Sequence, residues 1–378
     1  MSNRKLKIVA DENMPQVEAI FSRFGEVTLL PGRELSADDL KEADVLLVRS
    51  ITQVNRELLA DTPVQFVGTA TIGTDHIDQT YLHNHEIAFS NAPGCNADAV
   101  VEYVLSSLFL VAEHQSFEPK DRTFGIIGVG NVGGRLQRRL QALGYNVLLN
   151  DPPRAEQENG FVGLAEILTQ ADVICVHTPL TKEGEHLTHH LLGEDELGRL
   201  KQDAIIINAG RGPVIDNQAL LEVGQQRADL TFILDVWEHE PRVSAALAER
   251  CAIVSPHIAG YSFDGKVRGT FMLYEALCKH LGQGCDDALD DFLPESELAS
   301  VEQGDLTVLE LMQKVYDPRI DDYMLRETLS LPEREQKQAF DQLRKQYRVR
   351  REFSSLTVTG SDRPEQLSSI GFKVAAKH

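Results

Sequence analysis

Residues 124–144 read FGIIGVGNVGGRLQRRLQALG. An apolar run, FGIIGV, meets a glycine turn and then a segment whose apolar residues recur at helical spacing. Gly128, Gly130 and Gly133 stand in the order GxGxxG. Alone that order is weak. Here it follows a strand and opens a helix, and Asp151 ends the next apolar run, NVLLND, about 20 residues on. Gly128 permits the tight turn, Gly130 lets a pyrophosphate approach the backbone, and Gly133 lets helix and strand pack closely. The helix entry, with Asn131 and Val132 between the glycines, offers free N–H groups and the positive end of a dipole to an anion. Asp151 would accept hydrogen bonds from ribose hydroxyls and repel a 2′-phosphate, so NAD is expected over NADP, with Arg154 nearby as the counter-indication.

The pattern repeats outward in both directions. KIVA, VTLL, VLLV, VQFVGT and IAFS precede this stretch, and DVICVHT, AIIINAG, FILDVW and AIVSPH follow it, separated by helical segments. Continuous β-branched runs joined by helices mean parallel sheets covered on both faces. Two such series give an α/β protein of two doubly wound parallel-sheet lobes, Rossmann- or flavodoxin-like, with a cleft between them. NADAVVEYVLSSLFLVAEHQ, residues 96–115, reads as a long connecting helix with Asn96 as N-cap, and residues 263–281 read as a second. The expected division is a substrate-binding domain of residues 1–96 and 257–287, an NAD-binding domain of residues 97–256, and a small α+β domain of residues 288–378. That last part opens with the acidic DDALDDFLPESELASVEQGD, is too polar to build a generous core alone, and reads as an interaction or dimerisation module.

At 378 residues, two or three domains are expected. The 37 basic and 58 acidic residues leave a formal charge of −21, which repels nucleic acid and anionic membranes. An anionic substrate therefore needs its own local cations. No run is long and apolar enough for a membrane span, and the N-terminus lacks a signal peptide's apolar stretch. Cys95, Cys175, Cys251, Cys278 and Cys285 are odd in number and lack metal-ligand spacing. They read as reduced, buried thiols of a cytoplasmic protein, with no metal site.

Three strand ends carry unusual residues: Arg211 in INAGRGPVID, Asp235 and Glu240 in ILDVWEHEP, and His257 in SPHIAGY. In open α/β sheets ligands gather outside the carboxyl ends of strands, so these points can converge. A hydride leaving an alcohol carbon requires a base for the hydroxyl proton, and histidine suits neutral pH. A carboxylate beside that histidine orients the ring, and an arginine grips a substrate carboxylate. Taken singly, each residue also has an ordinary structural reading; their shared topology behind a dinucleotide fingerprint separates them from it. His189 and His190 lack that support and read as solvated helix-entry residues. His177 reads as structural beside Thr178, which could touch the cofactor.

GVGNVG with Asp151, HTPLT, NAGRGPVID, DVWEHEP and SPHIAG together resemble the D-2-hydroxyacid dehydrogenases over roughly residues 1–285. The resemblance implies that Arg211, Glu240 and His257 are catalytic, and that Thr178, Ala209, Asp235 and Gly260 join the glycine loop in binding NAD, Asp235 near the nicotinamide carboxamide. DENMP, VRSITQVN, GTATIGTDHID, NAPGCNADAVVEYV and LMQKVYDPRIDDYMLRE look like one branch of that family, acting on a phosphorylated 2-hydroxy acid. That likeness implies substrate contacts from Ser50, Thr71 and Tyr261 and a homodimer formed through the C-terminal domain. Arg49 adjoins Ser50, but neighbours on a strand face opposite ways, which leaves the basic partner of the phosphate open. The rival readings are another dehydrogenase of the family, such as one for phosphoglycerate, and a non-catalytic NADH-sensing protein on the same scaffold.

Overall fold

The computed structural model describes residues 5–375. They form two compact units, one of the chain up to Asn96 together with Ser262–Glu295, the other of Ala97–Tyr261 together with the chain from Ser296.

In the first unit, β1 (Leu6–Asp11), β2 (Gly25–Leu30), β3 (Val45–Val48), β4 (Phe66–Thr69) and β5 (Ala88–Asn91) form one sheet in the order β2-β1-β3-β4-β5. Every pairing is parallel. β3 and β4 are buried throughout, as uninterrupted apolar runs in a covered sheet require. Helix Phe263–Leu281 packs here, burying Val267, Phe271, Tyr274 and Leu277 at helical spacing. Ser262 Oγ caps it by accepting from Gly265 N at 2.9 Å, and Gly282, at φ 65°, ends it in the left-handed conformation.

In the second unit, β6 (Thr123–Ile127), β7 (Asn146–Asn150), β8 (Val173–Val176), β9 (Ile205–Asn208), β10 (Thr231–Leu234) and β11 (Ile253–Val254) form a parallel sheet in the order β11-β10-β9-β8-β6-β7. The chain runs one way from β6 to β7 and the other way from β8 onward, so a topological switch point falls between β6 and β8. Helix Asn131–Ala142 buries Gly133, Leu136 and Leu140 against this sheet. Each apolar run named from the sequence pairs in one of the two sheets. Helix Ala97–Gln115 also begins where expected, but Asn96 does not cap it: its buried Oδ1 accepts no hydrogen bond.

The C-terminal segment builds a small parallel sheet of β12 (Ser300–Glu302), β13 (Thr357–Thr359) and β14 (Lys373–Val374). Its apolar side chains do not close on themselves. Leu311, Met312, Tyr316, Phe353 and Leu356 share one core with Val101, Val104 and Leu108 of helix Ala97–Gln115 and with Leu136. Full burial of such a side chain contributes about 1.5–3 kcal/mol, so this shared core joins the segment firmly to its unit. Four cysteines are free and buried as expected; Cys285 is free but exposed, because it lies past the end of helix Phe263–Leu281. No helix among the described residues is long and apolar enough to cross a membrane.

Candidate active site

The second sheet is parallel, so the residues leaving the ends of β6, β8, β9, β10 and β11 emerge along one edge. Gly128 follows β6 at φ 87°, and a Cβ there would stand 2.7 Å from Thr178 N, so only glycine fits between the exits of β6 and β8. At Gly133 a Cβ would stand 2.0 Å from Gly128 O, and the helix thereby rests directly on the turn. Gly130 faces the opposite situation: a Cβ there would meet nothing within 4 Å. That open space, beside the start of helix Asn131–Ala142, is what a pyrophosphate needs.

Further observations agree with a dinucleotide. Thr178 Oγ1 is buried without a hydrogen-bond partner. At Gly210, beside Ala209, a Cβ would stand 3.0 Å from Val176 O, which keeps the exit of β9 close to that of β8. A cavity of about 690 Å³ opens alongside, lined by Asn150, Pro152, Phe161, Thr178, His186 and Leu191. Asp151 Oδ2 accepts from Val129 N at 2.8 Å, tying the acid to the glycine loop. Arg154, the residue that argued for a 2′-phosphate, is already engaged. Its Nη1 donates to Val129 O at 2.6 Å, and Nε and Nη2 grip Glu158 at 3.0 and 2.6 Å. Its guanidinium is therefore committed to its own loop, which favours NAD.

His257 and Glu240 meet. His257 Nδ1 lies 2.8 Å from Glu240 Oε2, and Glu240 Oε1 accepts from Trp237 N at 2.8 Å. Burial alone would raise the Glu240 pKa, but the hydrogen bond and charge of His257, the Trp237 N–H and the charge of Arg344 hold it below the usual value. An ionised Glu240 fixes the ring, leaving Nε2 as the nitrogen that can exchange a proton with substrate. His257 itself sits at φ 58°, a left-handed conformation uncommon for a side-chain-bearing residue. Asp235 imposes it. His257 N donates to Asp235 O at 2.7 Å, while the Asp235 carboxylate accepts from Ile258 N, Ala259 N and Ser255 Oγ at 2.8, 3.0 and 2.6 Å. Burial pushes the Asp235 carboxyl up, opposed by the charge of His257 and by these hydrogen bonds. Asp235 is thus the anchor of the His257 turn, a role its sequence position did not disclose.

Arg211 follows β9 and is exposed, with Nη1 donating to Gly210 O at 2.8 Å. Gly212 presses on the exit of β10, where a Cβ would stand 2.0 Å from Trp237 O. Arg211 and Glu240 are therefore registered on the same tryptophan. Gly260 lies in the turn closed by Tyr261 N donating to Ile258 O at 2.8 Å.

In the first unit, Ser50 is exposed just past β3, and Thr71 Oγ1 donates to Gly73 O at 2.8 Å. Arg49 also lies beyond the strand, so the alternation expected of it does not apply; its Nε lies 3.2 Å from Asp11 Oδ1. His190 corrects its expected place among solvated residues. At φ 51° it presents Nε2 to Glu238 Oε1 at 2.6 Å, while His189 is exposed and stacks on it. His177, expected to be structural, has both ring nitrogens buried and unpartnered.

Sequence reasoning missed two arginines of the C-terminal segment. Arg350, fully buried, donates from Nη1 to Ala259 O at 3.0 Å and from Nη2 to Ala99 O at 2.7 Å, bracing the His257 turn from behind. Arg344 Nη2 donates to Tyr261 Oη at 3.1 Å. Nothing local marks either residue, because each partner lies more than 80 positions away.

Residues 109–259 match the family described as the D-isomer specific 2-hydroxyacid dehydrogenase NAD binding domain, and residues 292–371 match a domain of unknown function (DUF3410). Solved structures with the same fold include the NAD+-bound 3-phosphoglycerate dehydrogenase of Entamoeba histolytica, at TM-score 0.58, 24% identity and coverage of 75% of this chain and 97% of that one. The D-lactate dehydrogenase of Lactobacillus jensenii, solved with NAD+, matches at TM-score 0.60 and 24% identity over 74% and 98% of the two chains. The chain thus carries, on that shared fold, the NAD binding domain of a D-isomer specific 2-hydroxyacid dehydrogenase. The erythronate-4-phosphate dehydrogenase of Proteus mirabilis is 49% identical over 98% of this chain and 100% of its own, and that of Pseudomonas putida strain W619 is 51% identical over 93% and 94%. Within the class, the chain belongs to the erythronate-4-phosphate dehydrogenase family.

Proposed function

We propose that the protein oxidises 4-phospho-D-erythronate at C2 to (R)-3-hydroxy-2-oxo-4-phosphobutanoate, a step of pyridoxal 5′-phosphate biosynthesis. The observation that carries the reading is the 2.8 Å contact of His257 with Glu240, on the same sheet edge as the dinucleotide loop. NAD, held by residues 128–133, Asp151, Thr178, Ala209, Asp235 and Gly260, supplies the hydride acceptor. Arg211 binds the substrate carboxylate and the C2 oxygen. His257, oriented and charge-balanced by Glu240, takes the C2 hydroxyl proton as hydride leaves that carbon, and returns it in the reverse reaction. Ser50, Thr71 and Tyr261 contact substrate. In this reading the enzyme is cytoplasmic and a homodimer formed through its C-terminal segment. On helix Pro318–Leu329, Ile320, Tyr323 and Met324 share one face and are 46%, 63% and 42% exposed, which supports a partner surface there.

Following NADH absorbance with 4-phosphoerythronate, 3-phosphoglycerate and unphosphorylated D-2-hydroxy acids tests the reading. Turnover is expected with the first substrate. Activity confined to the others reassigns the enzyme within its class, and none with any substrate favours an NADH-binding sensor.

A further inference from the structure

The C-terminal segment, whose family model is a domain of unknown function, places a second arginine besides Arg350 beside the His257 turn. Arg344 lies in the last turn of helix Glu333–Lys345. Its guanidinium carbon stands 5.7 Å from the centroid of the Tyr261 ring, and Nη2 donates to the Tyr261 hydroxyl at 3.1 Å. Tyr347, from the same segment, packs edge-on against that ring at 5.8 Å. Tyr261 stands four residues after His257, and the charge of Arg344 acts on Glu240, the partner of His257.

What Arg344 lacks is an anion. It forms no ion pair among the described residues, and its Nε is buried without a hydrogen-bond partner. A guanidinium offers five N–H donors in a planar fork suited to phosphate oxygens, and a half-buried one with an unused donor is only partly satisfied by a neutral phenol. Glu240, the nearby carboxylate that responds to its charge, spends its oxygens on His257 and Trp237. The whole chain, at a formal charge of −21, offers an anionic substrate little general attraction.

From this we infer that Arg344 is a specificity-determining residue: together with the Tyr261 hydroxyl it binds the phosphate of the substrate, at the end remote from the carboxylate held by Arg211. The inference rests on the proposed function and gives the domain of unknown function a part in substrate recognition.

The test compares 4-phospho-D-erythronate with D-erythronate, the latter as substrate or competitive inhibitor, in wild type, Arg344→Gln and Arg344→Lys. Loss of a charge-assisted hydrogen bond predicts that Arg344→Gln raises KM for the phosphorylated acid by about 10–100-fold. Its kcat should stay within a few-fold, and the affinities for D-erythronate and NAD should hold. Arg344→Lys, keeping the charge but losing the fork, should recover part of the loss. If Arg344→Gln discriminates between the two acids as wild type does, or loses kcat alike with both, Arg344 only supports Glu240 and the inference is overturned. A wild type inert towards 4-phosphoerythronate removes the proposed function, and this inference with it.

Discussion

His257 combines three constraints: a backbone at φ 58°, a ring held by Glu240, and a peptide N–H bound to Asp235 O. A non-glycine residue in a sparsely populated conformation costs on the order of 1–3 kcal/mol and persists only where its surroundings over-determine it. Here Asp235 and Arg350 do so, from the two sides of the turn. Replacing the ring by His257→Ala should lower kcat by about 10²–10⁴-fold while leaving NAD affinity unchanged, since the glycine loop is untouched. Glu240→Gln keeps a hydrogen-bonding group but removes the charge that balances a protonated ring, and should cost kcat about 10²–10⁴-fold. Steady-state turnover with parallel NAD titration checks both, and wild-type kcat in His257→Ala would end the acid–base assignment.

Among the elements, the exit of β8 carries a buried histidine whose titration bears on stability. Burial pushes the His177 pKa down to about 4, and its ring nitrogens meet no partner. An unfolded histidine titrates near 6.5. Above that value neither state carries the proton. Between about pH 6.5 and 4 the unfolded chain binds it and the folded one does not, so stability falls as pH falls through this window. The full difference corresponds to at most about 3 kcal/mol. Chemical denaturation of wild type and His177→Leu at pH 7.5 and 5 should show a smaller acid loss in the variant. Equal losses in both would show that His177 does not carry the effect.

Across the whole molecule, the C-terminal segment is the part that changes most between sequence and structure. Its composition suggests a polar appendage, yet Leu311, Tyr316 and Phe353 lie in the core beneath helix Ala97–Gln115, and Arg350 reaches the His257 turn. Its outward apolar face on helix Pro318–Leu329 carries the remaining prediction. If the proposed dimer uses this face, Ile320→Glu with Tyr323→Glu should give a monomer where wild type sediments as a dimer, because burying two carboxylates opposite their own copies is costly. An unchanged mass would remove this face from the proposed interface.

What the sequence alone determined is whatever is written locally. The eleven strand runs, the glycine turn with Asp151, and the Arg211, Glu240 and His257 positions each follow from periodicity, turn chemistry and placement at a strand end. Those rules act within a few residues, and the parallel sheet then carries the strand ends to one edge. Only the tertiary structure decided that Asp235 anchors the turn, that Arg154 is spent on Glu158 and Val129, that His190 pairs with Glu238, and that Arg344 and Arg350 arrive from 83 and 91 positions away. A hydrophobic period records that a face will be buried, and a charge records that a side chain needs a partner. Neither records which one, because that is fixed by packing between segments distant in the chain.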